Sequence, residues 1–189
     1  MAVSVDWEYR MAETQGGWTL EAVLALPEDQ TSGRRVELVD GALIVSPWPR
    51  VEHQRVLGSV QRQLQPVVPS VLELLPGANL ALGGQGDRLL VPDLVISRDP
   101  GYEGLCLTGE QTFLVCEIAS PSTRVKDLTL KRALYAQARI PFYLLVDPAP
   151  DAVSATLFEL AGADYEPIAR AEQGRLELIR PFEVTLELG

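Results

Sequence analysis

The chain has 189 residues, 47% of them apolar, and a formal net charge of −10. That length and composition suit one domain, residues 1–189, with a sizeable core behind a mobile tail at residues 1–17. The acidity argues against a general basic nucleic-acid-binding surface, Cys106 and Cys116 are too few for a disulfide framework, and a lone histidine, His53, removes enzyme classes that need paired imidazoles.

The N-terminus has neither a basic n-region nor an apolar h-region, and no apolar run approaches a membrane span, so a cytoplasmic protein without a membrane partner is expected. The chain contains no GxSxG, Walker A loop or GxGxxG after a strand. LGGQGDR at Leu82–Arg88 reads as a Gly-rich hairpin or loop, because no helix pattern follows it.

Thr19–Leu26 reads as a short helix capped by Thr19 and ended by Pro27. Val36–Val39 and Ala42–Val45 flank Asp40-Gly41, a strong signal for a two-residue hairpin. Glu52–Gln65 has helical spacing, with Val56, Val60 and Leu64 on one side and His53 in the first turn. His53 reads as a surface or capping residue, with a phosphate or substrate contact as its alternative. Short strands are expected at Val71–Leu75 and Asn79–Leu82, around Pro76-Gly77.

Leu89–Ser97, LLVPDLVIS, is an apolar strand with one acid inside it. By the two-residue period Leu89, Val91, Asp93 and Val95 share a face, and Pro92, which has no N–H for a ladder, predicts an edge or bulge just before Asp93. Asp99–Gly109 is a Gly-containing loop. Phe113–Ala119 then repeats the anomaly, a strand apolar on both faces except for Glu117. An unpaired carboxylate in either place would cost several kcal/mol or stay protonated, so each needs a cation, a proton or strong donors.

The following helix offers a cation. Asp127 is a candidate N-cap, after which Leu128, Lys131, Leu134, Tyr135 and Ala138 fall on one stripe, so Lys131 points where an apolar residue is expected. Tyr135 reads as core with a hydroxyl partner, while Arg132 and Arg139 fall on a solvated face. Both lysines of the chain, Lys126 and Lys131, lie in this segment, where Arg124, Lys126, Lys131, Arg132 and Arg139 face Asp127 alone. Phe142–Val146 is a buried strand completing a strand–helix–strand unit. Val153–Leu160, Asp164–Ala169, Arg175–Ile179 and Glu183–Leu188 alternate as a C-terminal β meander. The sum is an α/β chain with a mixed central sheet. Trp7, Trp18 and Trp48 read as packing residues.

Three ordered runs between Thr19 and Pro148, VELVDGALIVSPWPRVEHQRV, VPDLVI and CEIASPSTRVKDLTLKRALYAQARIPFYLLVDP, resemble the Uma-two family of the PD-(D/E)XK nuclease superfamily. The resemblance implies a restriction-endonuclease-like fold, a mixed central β-sheet flanked by helices. It implies a Mg2+-dependent endonuclease that hydrolyses DNA. Asp93 matches the aspartate of the PD motif, Glu117 the acid of the next strand, Glu37 the acid of the first hairpin block and Lys131 a lysine on the adjoining helix. The usual ExK spacing would place the lysine at position 119, where this chain has Ala119.

Asp93, Glu117 and the backbone carbonyl of Ile118 then form the expected Mg2+ site, with Mn2+ as a substitute. Lys131 orients water or stabilises the transition state, Glu37 accepts a proton or holds a metal-bound water, and His53, Arg124 and Lys126 are candidate substrate contacts. DNA and a second copy of the chain, as a homodimer, are the expected partners. Two alternatives stand beside this reading. Glu117 and Lys131 can form a purely structural ion pair with Asp93 satisfied by backbone donors, and the whole chain can be a catalytically silent nuclease-fold module for protein–protein interaction or assembly.

Overall fold

The structure, a computed structural model, describes residues 17–26, 35–46, 49–83, 88–119, 126–148 and 153–188, the side chains of residues 126–128 excepted. Trp7, Trp48, residues 84–87 of the Gly-rich stretch, Arg124 and the side chains of Lys126 and Asp127 therefore lie outside the described residues.

Helix α1 (Leu20–Leu24) is capped as its sequence predicts, the Thr19 hydroxyl accepting the N–H of Ala22 at 3.2 Å. Strands β1 (Arg35–Val39) and β2 (Ala42–Ser46) form the expected hairpin. Asp40 and Gly41 take φ of 49° and 86°, the left-handed pair that a tight turn between right-twisted strands requires. Helix α2 (Val51–Leu64) turns Val60 and Leu64 inward, and it also buries His53, which is 8% exposed rather than on the surface.

The two short strands expected around Pro76-Gly77 are present as β3 (Glu73–Pro76) and β4 (Leu80–Ala81), and they lie in different sheets. So do the two halves of the expected Leu89–Ser97 strand. It is broken into β5 (Arg88–Leu90) and β6 (Leu94–Ser97), with Val91, Pro92 and Asp93 between them. Pro92 cannot donate to a ladder, so the break falls where continuous pairing would fail.

Strands β7 (Leu107–Thr108) and β8 (Thr112–Ile118) follow, then a π-helical turn (Lys126–Lys131) that runs into α3 (Arg132–Gln137), and β9 (Phe142–Pro148). Strands β8 and β9 are parallel neighbours, as a strand–helix–strand unit demands. The chain ends in β10 (Val153–Ala161), β11 (Asp164–Arg170), β12 (Arg175–Leu178) and β13 (Val184–Glu187). Of these, β10 and β11 extend the main sheet while β12 and β13 pair with each other.

Among the described residues one sheet runs β11-β10-β9-β8-β6-β3 and a second β2-β1-β5-β4-β7, both mixing parallel and antiparallel pairs. The two-residue period of β8 sorts its side chains between two cores. Leu114, Cys116 and Ile118 meet Val60 and Leu64 of α2 and Leu176 and Leu186 of the terminal hairpin. Val115 joins Leu134 and Tyr135 of α3 and Leu90 of β5 on the opposite side. Glu117 belongs by alternation to that second face, beneath α3.

Arg132 and Arg139, read as solvated, are both tied down. Half-buried Arg132 donates to the carbonyl of Tyr165 and lies 4.9 Å from the Phe158 ring centroid, and the exposed Arg139 guanidinium donates to the carbonyl of Gly162. No described helix is long and apolar enough to cross a membrane.

Candidate active site

The strand break delivers Asp93 to the seam between the sheets. Leu94 pairs with Cys116, so Asp93 comes level with the Glu117–Ile118 end of β8, and its Oδ2 accepts the N–H of Ile118 at 2.7 Å where a partner-strand carbonyl would otherwise be expected. His53 Nε2, from the first turn of α2, is 3.2 Å from the same oxygen. Arg35 Nη2, from the start of β1, is 2.6 Å from Oδ1. Burial opposes ionisation of Asp93, but the His53 hydrogen bond, the Arg35 charge and the Ile118 N–H outweigh it and hold the carboxyl at about 2.

Glu117 and Glu37 share Lys131. The amine Nζ stands 2.9 Å from Glu117 Oε1 and 2.8 Å from Glu37 Oε1, with the three residues 1%, 3% and 5% exposed for Glu117, Glu37 and Lys131. Glu37 Oε1 also accepts the N–H of Val91 at 3.0 Å, the residue just before Pro92. Tyr135, one helical turn after Lys131, donates its hydroxyl to Glu117 Oε1 at 2.5 Å. Burial, followed by the charges of Glu117 and Glu37, pushes the Tyr135 hydroxyl well above its ordinary value, so it remains a donor. Burial likewise raises the Cys116 thiol, with Asp93 and Glu117 adding to the effect, and this cysteine stays neutral in the core.

Glu37, Asp93, Glu117, Lys131 and His53, singled out on five different elements or their ends, thus come together. Ile118 joins them through its N–H. Arg124 and the side chain of Lys126 lie outside the described residues. Sequence reading missed Arg35 as a member, although its place two residues before Glu37 puts both on one face of β1. It foresaw a hydroxyl partner for Tyr135 without naming Glu117.

Each buried acid therefore has donors, which removes the penalty of an isolated carboxylate. The donor chemistry also suits a hard cation: Mg2+ takes one or two protein carboxylates and keeps several waters, and Asp93 and Glu117 supply two on neighbouring strands. No group of three or more His, Cys, Asp or Glu among the described residues is arranged as a ready metal cage. The carboxylates are turned onto Arg35, His53, Lys131 and Tyr135 instead. The residues fit the ion in kind, on condition that a protein cation gives way.

No curated protein matches the chain. A crystal structure of a "putative nuclease belonging to DUF820" from Anabaena variabilis is similar with a TM-score of 0.63 at 20% sequence identity, covering 79% of this chain and 83% of that one. At that identity the likeness shows the fold, a restriction-endonuclease-like α/β architecture. Residues 20–188, nearly the whole length, match the Uma2 family, described as "Putative restriction endonuclease", and the chain belongs to that family.

Proposed function

We propose that the chain is a Mg2+-dependent endonuclease that hydrolyses DNA phosphodiester bonds, with Mn2+ able to substitute. The observation that carries this reading is the buried Lys131 amine, 2.9 Å from Glu117 and 2.8 Å from Glu37 beside an ionised Asp93. Asp93, Glu117 and the backbone carbonyl of Ile118 would hold the ion, whose chemistry when bound is to lower the pKa of a water and to neutralise phosphate charge.

The chain's own residues do the rest. Lys131 presents N–H donors to an oxygen arriving beside Glu117, orienting the attacking water and stabilising the charge that develops on phosphorus-bound oxygens. Glu37 also holds the amine and accepts a proton. Tyr135 holds Glu117 in one orientation, and His53 and Ile118 hold Asp93. His53, expected as a candidate substrate contact, is instead buried against Asp93. Arg124 and Lys126 contact substrate phosphates, and a homodimer supplies one site for each strand of a duplex.

Conversion of supercoiled plasmid to nicked and linear forms tests the reading. Cleavage should require Mg2+ or Mn2+, stop with EDTA and be lost in Lys131→Met. A broad panel of duplex and single-stranded DNA left intact by folded, Mg2+-supplied protein would count against it. One observation favours the silent-module reading: among the described residues every acid of the cluster already has a cation or N–H partner. That reading predicts partner binding that survives Asp93→Asn.

A further inference from the structure

We infer that Arg35 is a built-in counter-ion occupying the cation position on Asp93 Oδ1, and that a divalent cation must displace it to bind. The inference rests on the metal-dependent reading above.

The two oxygens of Asp93 are held differently. Oδ2 is fixed from within the fold by the Ile118 N–H at 2.7 Å and His53 at 3.2 Å, whereas Oδ1 meets Arg35 Nη2 at 2.6 Å. The Asp93 side chain itself is 0% exposed, so a cation reaches Oδ1 only where Arg35 gives way. The Arg35 side chain is 27% exposed while that of Lys131, the other permanent cation of the cluster, is 6% exposed. Lys131 is clamped between two acids, so Arg35 is the cation with room to leave.

Charge gives the exchange a reason. Glu37, Asp93 and Glu117 outnumber Lys131 and Arg35 by one. Besides Asp93, the charges of Glu117 and Glu37 also act on Arg35, so the guanidinium serves the whole acidic cluster. A dication added with Arg35 in place would put two like charges on one carboxylate oxygen. Its binding therefore swings Arg35 toward solvent, where its planar fork can take a phosphate oxygen of the incoming backbone. Arg35 thereby holds Asp93 ionised and oriented in the metal-free protein.

Calorimetric titration of Mg2+ and Mn2+ into wild type and Arg35→Gln, without DNA and with circular dichroism as the folding control, tests this. Arg35→Gln should bind roughly 10-fold more tightly, equivalent to about 1.4 kcal/mol. Equal or weaker affinity in the variant, with wild type binding, would overturn the inference and leave the metal site standing. No binding by either protein would remove the metal-dependent reading together with it. A second measurement needs no folded variant: the Arg35 Nη protons of wild type, protected on Asp93, should lose their resolved NMR signal as Mg2+ saturates the protein, and persistence of that signal at saturation would equally overturn the exchange.

Discussion

Lys131 Nζ donates to Glu117 Oε1 at 2.9 Å across fourteen residues of chain. A lysine two places after Glu117 on the strand would reach the acid from β8 itself, but that place holds Ala119, 2% exposed in the core beneath α3. The last residue of the π-helical turn supplies the amine instead, from the layer above the strand.

Replacing Lys131 by Met should leave Glu37 and Glu117 sharing a buried space without their cation. Removing one partner of a buried pair costs about 3–5 kcal/mol, and loss of one donor to developing charge costs about 100-fold or more in rate. Urea unfolding and plasmid cleavage read the two effects separately. A loss of less than about 1 kcal/mol would mean that the acids need no cation.

Stability should fall in acid through Asp93. Its carboxyl is lowered from 3.8 to about 2 in the folded chain, so its contribution is complete above 3.8 and is lost as the pH falls toward 2. The contribution is about 2 kcal/mol at neutral pH, from roughly 1.4 kcal/mol for each pH unit of displacement. Unfolding measured between pH 5 and pH 2 should show wild type losing that increment while Asp93→Asn does not. Parallel curves for the two proteins would contradict it.

How far the sequence showed this site depends on where each partner lies. Asp93, Glu117 and Lys131 stood out because each interrupts an apolar pattern on its own element, a signal carried by local spacing alone. Arg35 carried no such signal. Its partner is 58 residues away, and only the register of β1 against β5 brings the hairpin beside Asp93. The burial of His53 was hidden for a related reason, since its helical stripe reads as the edge of a polar face until Asp93 is placed beneath it. Pro92 marked the discontinuity before Asp93 correctly, but not that the two halves would enter different sheets, because sheet membership depends on distant strands.

Tyr135→Phe should keep the ring packing, including the contact with Tyr143 at 5.7 Å between centroids, and lose only the hydroxyl on Glu117. A hydrogen bond to a charged group is worth about 1.5–3 kcal/mol, so thermal or urea unfolding should show a loss in that range. An unchanged midpoint would show that the hydroxyl has no part in holding Glu117.

Arg124→Ala/Lys126→Ala should weaken DNA binding uniformly across sequences. Each phosphate contact removed lowers the slope of log affinity against log salt by about 0.9, so the double variant should lose nearly 2. Fluorescence anisotropy over a salt series measures the slope, and an unchanged slope would take both residues out of the proposed interface.

The central claim is that Asp93 and Glu117 together hold a divalent ion. Titrating Mg2+ calorimetrically into wild type and the isosteric Asp93→Asn/Glu117→Gln double variant, with circular dichroism on both, tests it most directly. Saturable binding by wild type that vanishes in a folded double variant is the predicted result. Identical binding by the two proteins, or none by wild type with DNA present or absent, would contradict it.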